Sequence, residues 1–192
     1  MNKKATSINK IFWGLIIVLV DINIVYFDIL PDFIGYIIIA SGLSHLQTYS
    51  PYFSKAKIFS IILTVFSLVT IFQGPSIPLE EFQPSKKIFL IIVFSTILGL
   101  LHLALIYFIV RGLIEMAEQE GFIRLSEMAQ KRLYIYIIGT LVPMAAYPFV
   151  LNVDDSEAFF IFVISIVITV IIEITILVLI RVFKNRFQVI DQ

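Results

Sequence analysis

Residues 159–181 contain one charged side chain, Glu173, before the closing Arg181. The hydrocarbon core of a bilayer, about 30 Å thick, is crossed by about 20 mostly apolar residues in a helix rising about 1.5 Å per residue. A surface helix of a water-soluble domain keeps a charged face, which this run lacks. Residues 88–110 have the same character, and four shorter or more mixed runs, 11–27, 31–46, 58–73 and 133–151, qualify or come close. Charged residues make up 15% of the chain and hydrophobic ones 59%, against about 25% and about 45–50% in soluble domains. So few charges cannot cover a water-facing surface. The sequence therefore predicts an all-α fold, a single integral membrane domain over residues 1–192 built as a bundle of six transmembrane helices.

The distribution of Lys and Arg orients that bundle, because cytoplasmic loops are enriched in them. With the N-terminus inside, Lys3, Lys4, Lys10, Lys55, Lys57, Arg111, Arg124, Lys131, Arg132, Arg181, Lys184 and Arg186 fall on the cytoplasmic side. Only Lys86 and Lys87 fall outside, where Asp28, Asp32, Glu80, Glu81, Asp154, Asp155 and Glu157 gather instead. Both termini are expected in the cytoplasm. The basic start and first apolar run are read as an uncleaved helix rather than a signal peptide. The run holds Asp21 and Asn23, lacks a small-x-small cleavage site, and leads straight into a second apolar segment. Between the first two runs, Asp28–Pro31 reads as a tight turn, with Pro31 at the start of the second helix. A re-entrant hairpin that never crosses is the alternative.

Several function classes have no support in these residues. The chain has no Cys, which excludes disulfides, Cys-ligated zinc and thiol catalysis. Basic and acidic residues balance at 14 each, so no basic surface argues for nucleic acid. The sequence contains no His-Glu-x-x-His, no Gly-x-Ser-x-Gly and no phosphate loop. A non-enzymatic protein without metal or cofactor is the expectation, with the lipid bilayer as its first partner.

Ionisable groups inside a bilayer are costly, about 2.5–3.5 kcal/mol on insertion scales, and are functional candidates for that reason. Here they are Asp21, His102 and Glu173, with Asn23 as a neutral companion. His102 and Glu173 are expected at similar depth, so that they can pair, with Asp21 nearer the outside. Ser165, Thr169 and Glu173 are spaced by four and share a face of the last helix. One reading is a proton or cation route, since Asp, Glu and His exchange protons. The other is polar glue between helices, worth about 0.6 kcal/mol per contact.

Outside the spans, Asp28, Pro31, Asp32 and Gly35 form an outer-turn motif. Asp28 and Asp32, four apart, suit helix capping or, sharing a face, a weak cation site. Gly35, Ala40, Ser41 and Gly42, and likewise Ser95 and Gly99, allow close helix approach, read as packing within one subunit rather than dimerisation. Pro143 and Pro148 suit a kink in the fifth helix. The cytoplasmic segment 111–132 alternates apolar Leu113, Ile114 and Ala117 with acidic Glu115, Glu118 and Glu120, breaks at Gly121, and reads as two helix extensions able to dock a protein partner.

The stretch Asp28-Ile-Leu-Pro-Asp-Phe-Ile-Gly-Tyr36, followed by Ala40-Ser-Gly-Leu43 and Phe53-Ser-Lys-Ala56, resembles the leading motif of a group of multi-pass membrane proteins of Gram-positive bacteria that have no assigned activity. The similarity covers residues 21–57; beyond them only the general architecture is similar. It implies a bacterial plasma membrane and supplies no mechanism. Two functional expectations follow from the residues. One is a membrane protein acting through protein or lipid partners. The other is a small transporter or ion- or proton-conducting protein using its buried Asp, His and Glu.

Overall fold

The computed structural model describes residues 3–20, 23–24, 27–28, 32–71, 86–150 and 153–189. They form six helices: α1 (Lys3–Leu19), α2 (Asp32–Leu46), α3 (Pro51–Ile71), α4 (Lys86–Gln119), α5 (Ile123–Val150) and α6 (Asp155–Val189). A minimal antiparallel pair, β1 (Asn23–Ile24) and β2 (Phe27–Asp28), lies between α1 and α2, with Asn23 opposite Asp28 and Ile24 opposite Phe27. Each helix packs on its neighbours in sequence, and α6 closes back onto α1, so the main interfaces make a ring.

Three helices carry stretches long and apolar enough to cross a membrane: Pro51–Leu68, Val93–Gln119 and Phe159–Gln188. Their outward residues are aliphatic and aromatic. Ile58, Ile61 and Val65 of α3 stand exposed, as do Ile97 and Leu100 of α4 and Phe160, Ile164, Val167 and Ile171 of α6. α2 is apolar but only 15 residues long, and the first turns of α5 are polar, with Arg124, Glu127, Lys131 and Arg132.

Helix ends depart from the apolar runs in an informative way. α4 and α6, of 34 and 35 residues, extend well past their apolar centres, to about 50 Å each. Backbone hydrogen bonding continues outside the apolar zone as long as the residues tolerate it. The first run behaves differently. A helix over 11–27 was expected, yet α1 ends at Leu19 and the strand pair follows. Asp21-Ile-Asn-Ile-Val-Tyr-Phe27 is rich in β-branched and aromatic residues, punctuated by poor helix formers, and favours extended backbone. The pairing of Ile24 with Phe27 puts the reversal there, upstream of the expected turn at Asp28–Pro31.

Two further turns are set by local chemistry. Ser50 precedes Pro51; its Oγ accepts from Tyr52 N at 3.2 Å, the geometry of an N-cap with proline in the first helical position. The same hydroxyl donates to Glu115 Oε2 at 2.5 Å, tying the α2–α3 turn to α4. α4 stops at Gly121, whose φ is 76°. Phe122 N donates to Ala117 O and Gly121 N to Glu118 O, which together form a Schellman ending. Gly121→Ala meets no steric neighbour but forces a side chain into the left-handed region, at about 1–2 kcal/mol. A thermal melt in detergent is expected to show that loss; an unchanged midpoint would mean that the turn relaxes freely.

The end of the bundle with these two turns also holds the start of α1 and the end of α6. Lys4 Nζ pairs with Glu120 Oε1 at 2.5 Å and lies over the rings of Tyr49 and Phe187. Arg186 lies over Phe122. The helices therefore alternate in direction, and the basic residues of all four segments gather at one end, while Lys86 opens α4 at the other.

The 111–132 segment is two packed helix ends rather than a loop. Leu113, Ile114 and Ala117 are buried in the common core, and Glu118, Arg124, Glu127 and Lys131 face out.

α1 and α2 approach closely enough that only small residues fit between them. An ideal Cβ on Gly14 would lie 2.7 Å from Gly35 O, one on Gly35 would lie 2.7 Å from Gly14 O, and one on Gly42 would lie 2.7 Å from Ser7 O. Ser7 and Gly14, like Gly35 and Gly42, are seven apart, so two turns of each helix repeat the contact. Gly35 and Gly42 thus serve packing within the chain. Ser41 is exposed and meets α1 only at the rim of that contact, where its Oγ accepts from Lys10 Nζ at 3.1 Å. Gly99 faces Met144 of α5, while Ser95 is exposed. α5 continues as helix through Pro143 and Pro148.

Candidate functional site

His102, Tyr136 and Glu173 each lie at or within one residue of the middle of α4, α5 and α6. Tyr36 lies one turn into α2. These four side chains form one connected chain of hydrogen bonds. The Tyr36 hydroxyl lies 3.1 Å from His102 Nδ1. His102 Nε2 lies 3.2 Å from Glu173 Oε1, and the Tyr136 hydroxyl donates to that same oxygen at 2.7 Å.

The topology explains why these groups face inward. α2, α4 and α6 alternate around the ring and are not neighbours in it. A contact from α2 to α4, and another from α4 to α6, must cross the interior. Only 17% of the His102 side chain and 14% of that of Glu173 are exposed. Backbone anchors hold the frame. Ser60 Oγ of α3 donates to Tyr36 O at 2.6 Å, and Arg132, one turn from Tyr136, donates to Thr175 O at 3.4 Å. Arg132 therefore braces α5 against α6 below the carboxylate.

The arrangement accommodates two proton inventories. With a neutral imidazole protonated on Nε2, that N–H donates to Glu173 and the Tyr36 O–H donates to Nδ1. With one more proton on Nδ1, the imidazolium donates to Glu173 and to the Tyr36 oxygen, and the Tyr36 hydrogen rotates away. In both forms Tyr136 donates to Glu173. A neutral imidazole facing a carboxylate leaves one net negative charge; the added proton cancels it. Moving between these forms requires a hydroxyl rotation and no backbone change.

Among the residues singled out from sequence, His102 and Glu173 are thus brought together. Asp21 and Pro31 lie outside the described residues. Asn23 lies in β1 rather than in a helix. Asp28 lies in β2 and Asp32 in the first turn of α2. The two carboxylates are therefore not on one helical face, because spacing by four aligns residues only within a helix. Among the described residues no three His, Cys, Asp or Glu side chains are grouped to hold a metal. The Ser165–Thr169–Glu173 stripe does not form a polar track either. Ser165 Oγ donates to Ile161 O and Thr169 Oγ1 to Ser165 O, both within α6, and Thr169 is exposed.

Tyr36 and Tyr136 are the two site residues that sequence reasoning missed. A tyrosine inside an apolar run, as in 31–46 and 133–151, is the signal, since a buried hydroxyl must find a partner. No family model, curated protein or solved structure matches this chain.

Proposed function

We propose that this chain is a multi-pass protein of a bacterial plasma membrane, crossing it six times with both termini in the cytoplasm. Its His102–Glu173 centre binds and releases a proton during transport of a small solute or cation. The single observation that carries the reading is the Tyr36–His102–Glu173–Tyr136 chain, which joins four helices across the interior of a ring. Packing alone does not require two ionisable groups at that depth. The crossing count is supported by geometry: if α4 and α6 both run from the acidic to the basic end, α5 must return between them. Orientation rests on the positive-inside bias, and the bacterial setting on the resemblance carried by residues 21–57.

Reconstitution in proteoliposomes with a pH-sensitive interior dye tests the reading. The parent protein is expected to carry protons, alone or with an added cation, and Glu173→Gln and His102→Gln are expected to abolish that flux. Flux undiminished in both variants, or absent from the parent across a panel of ions, refutes the proton-binding role.

A second reading, docking of a cytoplasmic protein at 111–132, is favoured by the exposed Ile123 beside Arg124 and Glu127. Co-purification should lose a specific partner when Ile123→Asp and Arg124→Glu are combined; an identical partner profile argues against docking.

A further inference from the structure

Two cations at the basic end stand on a stack of aromatic rings. Tyr52 of α3 stacks on Phe108 of α4 with 6.4 Å between ring centres, and Phe108 stacks in turn on Phe59, two turns further along α3, at 5.4 Å. Lys55 Nζ lies 5.7 Å from the centres of both the Tyr52 and the Phe108 rings, and the Arg111 guanidinium lies 5.4 Å from that of Tyr52. The stack is held in place by the α3–α4 contact. A Cβ added to Gly112 would lie 2.7 Å from the Phe53 ring, and the Ser50–Glu115 hydrogen bond ties the α2–α3 turn to α4 one turn beyond Arg111.

These cations lack a counter-charge. A cation–π contact is worth about 0.5–1 kcal/mol at an exposed site, and it leaves the net charge as it is. Two positive charges over one ring also repel each other. Among the described residues the ion pairs are Lys4–Glu120 and His102–Glu173, and neither involves Lys55 or Arg111. Glu115, one turn past Arg111, accepts from Ser50 instead. The buried Nε of Arg111 has no hydrogen-bond partner among the described residues. Two unpaired cations and an unmet donor together suit an anion, and charge-assisted hydrogen bonds to phosphate are strong ones.

The side of α3 that carries Lys55 says which anion. After Pro51 the exposed side chains described on α3 are Lys55, Ile58, Ile61, Val65 and Leu68, spaced by three or four and so along one side of the helix. Lys55 is the charged member of that stripe and stands at its basic end. A small water-borne anion gains nothing from the aliphatic residues beyond it. A phospholipid uses both parts, with its acyl chain on the stripe and its headgroup phosphate at the cations. Basic pockets between helices at the cytoplasmic face take such headgroups, and each Lys or Arg near an anionic leaflet adds about 1 kcal/mol of attraction.

We infer that Lys55 and Arg111, held on the Tyr52–Phe108 stack, bind the headgroup phosphate of an anionic phospholipid whose chain runs along Ile58, Ile61 and Val65. The site lies more than two turns of α4 from His102. It needs the apolar helices to stand in a bilayer, and it does not need proton transport.

The chain has one tryptophan, Trp13, so fluorescence quenching by lipid gives a direct test. In a Trp13→Phe background, Ile58→Trp places the reporter about one turn from Lys55. Ile135→Trp places it one turn from the exposed Lys131 of α5, as a control for general surface attraction. The full-length chain is reconstituted in vesicles of phosphatidylcholine and phosphatidylglycerol with one or the other brominated on its acyl chains. Quenching then gives the relative affinity of the two lipids at each reporter. At Ile58→Trp phosphatidylglycerol is expected to be favoured about ten- to thirtyfold, the effect of two cations, and at Ile135→Trp by no more than about fivefold, the effect of one. Lys55→Gln should lower the ratio at Ile58→Trp about fivefold, and Lys55→Gln combined with Arg111→Gln should remove the preference. Size-exclusion retention checks that the compared variants are folded. Lys55 is exposed, so its single variant decides the matter even if loss of Arg111 unsettles the α3–α4 contact. Equal ratios at the two reporters, or an unchanged ratio in Lys55→Gln, overturn the site. Loss of the preference on adding inorganic phosphate, but not chloride at the same ionic strength, gives the cations to a free anion and overturns the lipid. Flux is measured separately: lipid preference without flux removes only the transport reading, and flux without lipid preference removes only this inference.

Discussion

His102→Leu lowers the stability of the folded bundle by about 3–5 kcal/mol, the loss found when one member of a buried charged pair is left behind. Glu173 then faces an aliphatic side chain, with Tyr136 as its remaining partner in the centre. The combined change His102→Leu with Glu173→Leu recovers most of that loss, because paired removal leaves no uncompensated charge and adds apolar volume. Thermal or denaturant unfolding in a fixed detergent measures both. The size of the single-variant loss decides what the centre contains. A loss of about 0.6 kcal/mol, and at most about 1.7, is the range of neutral interhelical hydrogen bonds in membranes, and would mean that the groups face each other uncharged. In that case the charged-pair account fails even if the geometry is correct. A stable double variant that has lost all flux would separate the roles: the pair would then be retained for chemistry and not for folding.

The second large effect is expected at the α1–α2 contact. Gly35→Leu places its first side-chain carbon 2.7 Å from Gly14 O and 2.6 Å from Val18 Cγ2. A backbone oxygen cannot swing aside as a flexible side chain can, so the two helices must separate along a contact that repeats at Gly42 and Ser7. Overpacking of a filled interior costs about 1–3 kcal/mol, and Gly35→Leu should lie at or beyond the upper end. Tyr36 is the next residue, so the displacement also moves a hydroxyl away from His102. Gly35→Leu is therefore expected to lose both stability and flux. Ser41→Leu, at an exposed position on the same helix, is expected to keep both. Equal behaviour of the two variants would refute the packing account. The measurement is size-exclusion retention after heating, paired with the dye assay on the surviving fraction.

Three long apolar helices were legible from apolar run length, whereas the first run, 11–27, was not: α1 ends at Leu19, near that run's middle. The rarity of charge inside those runs also singled out His102 and Glu173. Asp32 opens α2 as a capping residue would, but the shared face with Asp28 did not form. Spacing by four implies a shared face only if the backbone is helical, and Asn23–Ile24 pairs with Phe27–Asp28 as strands instead. Thr169 is exposed although its angle on α6 lies between those of Ser165 and Glu173, so position on the helix wheel did not by itself decide which residues face the interior. Gly112 was invisible for a different reason. Its lack of a side chain is explained only by the Phe53 ring of α3, which would lie 2.7 Å from an added Cβ.

What the sequence determined by itself is therefore the apolar character and most of the secondary structure: six helices, a bipolar distribution of charge, and ionisable groups set within apolar runs, of which His102 and Glu173 lie in described helices. These follow from local composition, because each residue's transfer energy and helical preference act wherever it sits. Which helices are neighbours was decided only by the tertiary structure. Closing the ring from α6 to α1 puts α2, α4 and α6 opposite one another across an interior. That step, and no feature of the chain near any one of them, joins Tyr36, His102, Glu173 and Tyr136 into a single site. The contacts from Tyr36 to His102 and from Tyr136 to Glu173 span 66 and 37 positions of sequence. Contacts of that range depend on how whole helices pack, and the packing is set by glycine contacts and ring stacking that no window of sequence contains.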